Sequence, residues 1–225
     1  MKLPLSNRLL ACCDFVNQGD RIADVGCDHG YLSIHLLTNG IARSAIASDV
    51  ADGPLESARR NAQKFGVSQN ITFFLSDGVQ NIPRDFDTLV CAGMGADTMM
   101  SILEAAPWLK DGKYRLILQC QSKRPELRKY LYDNGFAIRR ETLAQDGKFI
   151  YPVTEVVYAP GEHLTDTQYY ITPALLASGS PLLNPFLDRV TEGLQKTVDG
   201  LSRTGGEKYK EYKRILEELK HVHRS

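Results

Sequence analysis

No run of apolar residues in this 225-residue chain approaches the length that spans a bilayer, so no membrane partner is expected. The opening stretch MKLPLSNRLLACCDF is too short and too polar for a secretory signal, and a cytoplasmic location is the expectation. Net charge is also missing: 27 basic residues balance 27 acidic ones. Any contact with nucleic acid must therefore come from a local basic patch rather than an overall basic field. Cysteine is scarce and unpatterned. Cys12, Cys13, Cys27, Cys91 and Cys120 are odd in number and form no C-x-x-C. That disfavours a zinc or disulfide framework, no metal is expected, and the thiols read as buried and free. The dinucleotide fingerprint G-x-G-x-x-G is absent as well: Gly26 fills its first position, but Asp28 and Tyr31 stand where the other glycines belong. A nicotinamide or flavin dinucleotide is disfavoured.

What is present is alternation. Apolar spacing predicts helices over 5–16, 31–40, 53–66, 97–109 and 125–135, and strands over 21–26, 44–50, 70–78, 86–95 and 115–120. Five strand–helix alternations argue for a doubly wound, mostly parallel α/β sheet. FAIRRETLA and FIYPVTEVVYA, joined by QDGK, then predict an antiparallel hairpin, with Asp-Gly as the turn signal. A Rossmann-like sheet ending in an antiparallel strand resembles the class I methyltransferase fold. After about residue 160 the composition shifts to a polar, proline-containing connector. Leu183, Leu187, Val190, Leu194, Val198 and Leu201, then Tyr209, Tyr212, Leu216, Leu219 and Val222, recur at helical spacing on either side of SRTGGE. They predict a C-terminal helical hairpin, coiled-coil-like and too short to bury its stripe alone. The expected organisation is a methyltransferase-like domain over 1–160 and a helical domain over 161–225.

Ligands of open α/β sheets lie beyond the carboxyl ends of the strands. The turn ADVGCDHGYLS follows the first strand, and its spacing is D-x-G-x-x-x-G: Asp24, Gly26, Gly30. Acidic residues suit a cationic ligand such as S-adenosyl-L-methionine, whereas Asp28 would repel a pyrophosphate. Asp49 ends the second strand where a carboxylate can take two ribose hydroxyls, and Asp77 with Gly78 ends the third, where it can accept from an adenine amino group.

These motifs together resemble the TrmK family of tRNA (adenine-22-N1)-methyltransferases. LSNRL at 5–9, DVGCDHGYL at 24–32, SDV at 48–50, SDG at 76–78 and GMG at 93–95 carry the resemblance over almost the whole chain. Departures are Cys27 for the family's Ser or Thr, GMGA for GMGG, LQCQ at 118–121 for LQPN, and FIYPVTEV for K-x-Y-E. The resemblance implies methyl transfer to adenine N1 in tRNA, leaving S-adenosyl-L-homocysteine. Implied cofactor contacts are Arg8, Asp24, Gly26, Cys27, Asp28, His29, Gly30, Asp49, Val50, Asp77, Gly78, Gly93, Met94 and Gly95. Catalytic candidates are Asp28, His29, Met94 and Tyr151. His29 fits a turn hydrogen bond as well as a role at the methyl. Tyr151 fits a half-buried strand position as well as stacking on the base, and Arg8 fits an exposed helix position as well as a cofactor or phosphate contact.

RNA would be held largely through phosphates and shape. Gln119, Lys123, Arg124, Arg128, Lys208 and Lys213 are the foremost candidates. Lys129, Arg139 and Arg140 join them at the methyl-transfer face, and Lys210, Arg214, Lys220 and Arg224 on the last helix, whose interleaved glutamates equally fit a solvated face. The expected assembly is a monomer or weak homodimer. The alternatives are a class I methyltransferase acting on another RNA, a small molecule or a protein, and a non-catalytic RNA-binding module keeping a residual cofactor pocket. The complete Asp24, Gly26, Gly30, Asp49 and Asp77 set argues against the last.

Overall fold

The computed structural model describes residues 3–203 and 205–222. Its strands are β1 (Asp20–Val25), β2 (Ala42–Asp49), β3 (Ile71–Leu75), β4 (Thr88–Met94), β5 (Arg115–Cys120), β6 (Phe136–Asp146) and β7 (Phe149–Tyr158). They form one sheet in the order β3-β2-β1-β4-β5-β7-β6. The first five run parallel, and β7 pairs antiparallel with both β5 and β6. The chain turns from one half of the sheet to the other between β1 and β4, which makes their carboxyl ends the switch point.

Period-2 alternation sorts the core onto the two faces of the sheet. Ile22, Val90 and Ile117 point to a cluster covered by helices α1 (Asn7–Cys13), α2 (Tyr31–Thr38) and α3 (Asp52–Lys64). Ala23, Leu89, Leu116 and Leu118 point to the other, covered by α4 (Ala96–Glu104) and α5 (Arg124–Asp133). All five cysteines are buried and free.

Two predicted helices are shorter than their apolar pattern. The pattern over 97–109 breaks at Ala106, whose φ of −125° and ψ of 57° leave the helical region, and a 3-10 turn over Pro107–Asp111 follows. Proline disfavours a helical residue before it and cannot donate to the ladder. Helix α1 starts only at Asn7, and Ser6 gives it no side-chain cap. Its first N–H is capped from 139 residues away, by Asp146 Oδ1 at 2.8 Å.

Beyond the sheet lie a short helix α6 (Pro173–Leu176) and two long ones, α7 (Leu183–Leu201) and α8 (Glu207–Val222). Lys220 Nζ donates to Gln195 Oε1 at 3.0 Å, so α8 returns antiparallel along α7. Their stripe, with Phe186, Leu187, Leu194, Ile215 and Leu216, is buried against Leu143 and Ile150 of the β6–β7 hairpin. A buried ion pair ties the same junction. Arg128 of α5 meets Glu141 of β6 and donates to the carbonyls of Tyr169 and Tyr170 at 3.0 and 2.7 Å. Among the described residues no helix is long and apolar enough to cross a membrane, and no three His, Cys, Asp or Glu side chains group as metal ligands would.

Candidate active site

The turn between β1 and α2 is pinned to the end of β2. Gly26 and Cys27 both donate their N–H to Ser48 O, at 2.8 and 2.9 Å. Gly26 takes φ +71°, and a Cβ there would stand 2.3 Å from Met94 Cε. The left-handed φ is what calls for glycine here, while the Met94 methyl, at the end of a flexible side chain, packs into the space that a Cβ would take. Asp28 holds φ +50°, one of two non-glycine residues at positive φ among those described. Such backbone costs on the order of 1–3 kcal/mol and persists only where its surroundings fix it. Here Asp28 N–H donates to Asp49 Oδ2 at 3.2 Å, and Asn61 Nδ2 holds the next carbonyl, His29 O, at 3.0 Å.

Asp24 lies beneath this turn, only 4% exposed, and accepts from Ser33 Oγ at 2.7 Å. Burial pushes its carboxyl up to about 6, against the lowering effect of the Ser33 bonds. Its place is under the crevice rather than in it. Asp49 faces the crevice and spends its other oxygen on Ala51 N–H at 3.1 Å. Its backbone carbonyl binds Ser76 N at 2.9 Å, which carries the exposed Asp77 beside it on the next strand. Val50, the residue after Asp49, is 69% exposed. The result is a row of carboxylates along three neighbouring strand ends. Among the described residues no Lys or Arg is ion-paired to Asp28, Asp49 or Asp77.

Opposite them, β4 ends in Gly93, Met94 and Gly95. Gln119, fully buried on β5, accepts from Gly93 N–H at 3.1 Å and from Arg8 Nη1 at 2.9 Å. Two donors on one oxygen fix the orientation of the amide and leave its Nε2, buried in the site, without a partner. Gly93 takes φ +83°, and a Cβ there would stand 3.0 Å from Arg8 Nη1. Arg8 thus reaches the site from helix α1 and is only partly exposed.

Residues 5–154 match the family described as "Methyltransferase domain". The tRNA (adenine(22)-N(1))-methyltransferase of Bacillus subtilis is 37% identical over 149 residues, which span 65% of this chain and 63%, under two thirds, of the relative. The crystal structure of the B. subtilis m1A22 tRNA methyltransferase TrmK matches at a TM-score of 0.80 and 27% identity, covering 99% of this chain and 97% of that one. The chain belongs to the TrmK family of methyltransferases. A solved structure of a Streptococcus pneumoniae putative tRNA (m1A22) methyltransferase in complex with S-adenosyl-L-methionine matches at a TM-score of 0.84 and 28% identity, over 97% of this chain and 99% of that one.

The structure of this TrmK-family chain sorts the remaining candidates. Asp28 and His29 sit at the mouth, His29 Nε2 3.6 Å from Asp28 Oδ1, with side chains 72% and 50% exposed. Tyr151 is half-buried beside Phe149, their ring centroids 6.0 Å apart. Three basic residues are corrected. Arg128 cannot take RNA, because its side chain is 4% exposed and its guanidinium is spent on Glu141 and two carbonyls. Arg139 and Arg140 do not lie at the methyl-transfer face. They are paired with Glu162 and Glu155 toward the opposite end of the sheet, where Glu155 also binds Arg115 at the start of β5. Lys123 is exposed and paired with Asp97 at 2.6 Å, and Lys129 pairs with Asp133. On α8, Lys208 and Lys213 are exposed, Lys210 pairs with Glu207, Arg214 pairs with Asp166 and Glu218, and Lys220 bonds Gln195. Arg224 lies outside the described residues.

Ser33, Asn61 and Asp146 support the site without having been singled out in the sequence. Ser33 had one readable sign, a small hydroxyl three residues after Gly30 in the first turn of α2. Asn61 and Asp146 had none, since their partners are 32 and 138–139 residues away.

Proposed function

We propose that this protein methylates tRNA with S-adenosyl-L-methionine, at N1 of adenine 22, releasing S-adenosyl-L-homocysteine. The carrying observation is the Asp49 carboxylate turned into the Gly26–Gly30 crevice, bonded to Asp28 N–H. The residues suit the cofactor chemically. The crevice offers carboxylates and carbonyls, and among the described residues no Lys or Arg is ion-paired to Asp28, Asp49 or Asp77, as a ligand bearing an ammonium, hydroxyls and an amine requires. In this reading Asp49 takes the ribose hydroxyls and Asp77 the adenine amino group. Val50 covers the adenine edge, and the turn from Gly26 to Gly30 with Gly93–Gly95 encloses the methionine end.

When bound, S-adenosyl-L-methionine supplies an electrophilic methyl group on a sulfonium. The chain's own part is positional. Adenine N1 carries an in-plane lone pair, so no residue has to remove a proton before attack. The narrow GMG turn, held by Gln119 and Arg8, lets the base come in line with the donor. The methylated base is cationic, and the acceptors at the mouth, Asp28 and neighbouring carbonyls, face that charge as it develops. N1 lies on the Watson–Crick edge, so the base must leave its pairing to react. His29, Met94 and Tyr151 would then shape the space around it. We take residues 1–160 as the catalytic unit and 161–225 as an arm whose Lys208 and Lys213 meet the tRNA, working in the cytoplasm as a monomer or weak dimer.

The test incubates the protein with labelled cofactor and unmodified tRNA and maps the methylated nucleoside. 1-Methyladenosine at position 22, lost when that adenine is replaced, is the expected result. Label on another nucleoside, on protein or on no RNA at all overturns the assignment.

A further inference from the structure

Outside the cofactor crevice, two adjoining cavities lie at the junction of the sheet with the helical arm. A cavity of about 370 Å³ opens directly beside Gly95, lined by Ser122, Arg124, Phe149, Tyr151 and Arg189 with no acidic residue. A second, of about 320 Å³, continues from the same two arginines along α7, past Tyr170 and Tyr212, and includes one carboxylate, Glu126. Arg124 and Arg189 thus stand where the two cavities meet, one on the catalytic domain and one on the arm.

These two arginines differ from most others in the chain. Arg8, Arg21, Arg59, Arg115, Arg128, Arg139, Arg140 and Arg214 are all in salt bridges. Neither Arg124 nor Arg189 has one among the described residues. Arg124 is partly buried, its guanidinium lying over the Phe186 ring at 5.3 Å. Burial and the like charge of Arg128 push its pKa down. The residue before it, Lys123, is the second non-glycine residue at positive φ, 51°, and turns the chain so that α5 begins at this wall. Phe149 completes the arrangement. Its ring is 53% exposed at the tip of the β6–β7 hairpin, although Ile150 beside it is buried in the arm's core. An exposed aromatic next to two unpaired guanidiniums offers a stacking face and an anion site side by side.

We infer that this groove binds a single-stranded nucleotide adjoining the methylated base, with its phosphodiester between Arg124 and Arg189 and its base stacked on Phe149. The inference rests on the RNA-methylating reading above. It adds that the enzyme grips an unpaired strand rather than a duplex, and that the arm closes the site. Stacking tolerates any base, and a planar guanidinium matches a phosphate bidentately, so the groove selects unpaired backbone more than sequence.

The experiment uses the full chain and unmodified tRNA, comparing R124Q, R189Q and F149A with the unaltered protein. tRNA affinity is measured across a salt series, kcat and KM for tRNA in steady state, and S-adenosyl-L-methionine affinity by titration. Each arginine change is expected to weaken tRNA binding about tenfold and to lower the salt slope by about one. F149A is expected to raise KM for tRNA roughly tenfold with the salt slope unchanged. Cofactor affinity stays constant in all three. Because Arg124 is partly buried, the exposed Arg189 carries the decision, and R189K should recover part of the loss. Wild-type affinity and slope in R189Q, together with wild-type KM in F149A, overturn the groove while leaving the methylation reading standing. So does competition by a mononucleotide but not by a single-stranded oligonucleotide. Failure of the unaltered protein to methylate any RNA instead sinks the reading on which the groove depends.

Discussion

Asp146 and Arg8 are joined twice: the Arg8 backbone N–H donates to Asp146 Oδ2 at 3.3 Å, and Arg8 Nε lies 3.5 Å from the same oxygen. The hairpin tip thereby sets a guanidinium that reaches Gln119 and, through it, Gly93. Nothing in the local sequence of either residue shows this contact. It makes the tip of the hairpin part of the methyl-transfer turn's support.

Replacing Asp146 by Ala removes the only side-chain cap on α1 among the described residues and takes from Arg8 one of its two anchors, leaving the bond to Gln119. Loss of a helix cap costs about 1–2 kcal/mol. The expected outcome is that loss in urea unfolding, together with a several-fold lower kcat on tRNA and little change in cofactor affinity. Loss of stability without any change in kcat would show that Arg8 does not act through Gly93.

Asp49 combines a structural bond to Asp28 with the proposed hold on the ribose. Hydrogen bonds to a charged group contribute about 1.5–3 kcal/mol. Asp49→Ala should therefore weaken S-adenosyl-L-methionine roughly ten- to hundredfold in calorimetric titration, with an unchanged circular dichroism spectrum. Asp49→Asn, which keeps one acceptor, should fall between. Unchanged affinity in both variants places the ribose elsewhere.

The Arg128–Glu141 pair supports the junction of sheet and arm, because Thr154 and Thr172 also donate to Glu141. Breaking one side leaves the other charge buried and unpaired, which costs about 3–5 kcal/mol. R128M or E141Q alone should lower the unfolding midpoint strongly. The double variant R128M/E141L, which buries no lone charge, should recover much of the loss. If the double variant is no more stable than the singles, the pair's hydrogen bonds to the carbonyls matter more than its charge balance.

Local pattern made the sheet and its order of elements legible. Leu116, Ile117 and Leu118 form the continuous apolar run of a strand buried on both faces, and Gly66 and Gly135 close their helices. The acidic strand ends were legible for the same reason, since Asp49 and Asp77 each follow an apolar run. What escaped reading was decided by partners distant in sequence. Arg128 and Arg124 look alike in RPELRKYLYD, four residues apart on one helix face, yet one meets Glu141 and is sealed while the other meets Phe186 and has no ion pair among the described residues. Asp146 looks like a turn residue, but the two loop residues are Gly147 and Lys148, and its carboxylate serves α1. Phe149 reads as one more apolar strand residue until the fold leaves its ring at the surface.

Asp24 supplies a prediction with a definite sign. Its carboxyl titrates near 6 in the folded protein, mainly because burial disfavours the charge, against an ordinary value of 3.8. Above about pH 6 it is ionised in both the folded and the unfolded chain, and the folded state bears the cost of the buried charge. Between 6 and 3.8 the folded state holds the proton while the unfolded chain does not, so this group's contribution to stability falls as pH rises through that window. A shift of this size corresponds to about 3 kcal/mol in total. Asp24→Asn keeps the shape and an acceptor for Ser33 Oγ but cannot titrate. Urea midpoints measured for both proteins at pH 7, 6 and 4 should show the unaltered chain gaining on the variant as pH falls, most of it between 6 and 4. A difference that stays constant across those pH values would mean that water reaches Asp24, and that the charge beneath the Gly26 turn is already solvated.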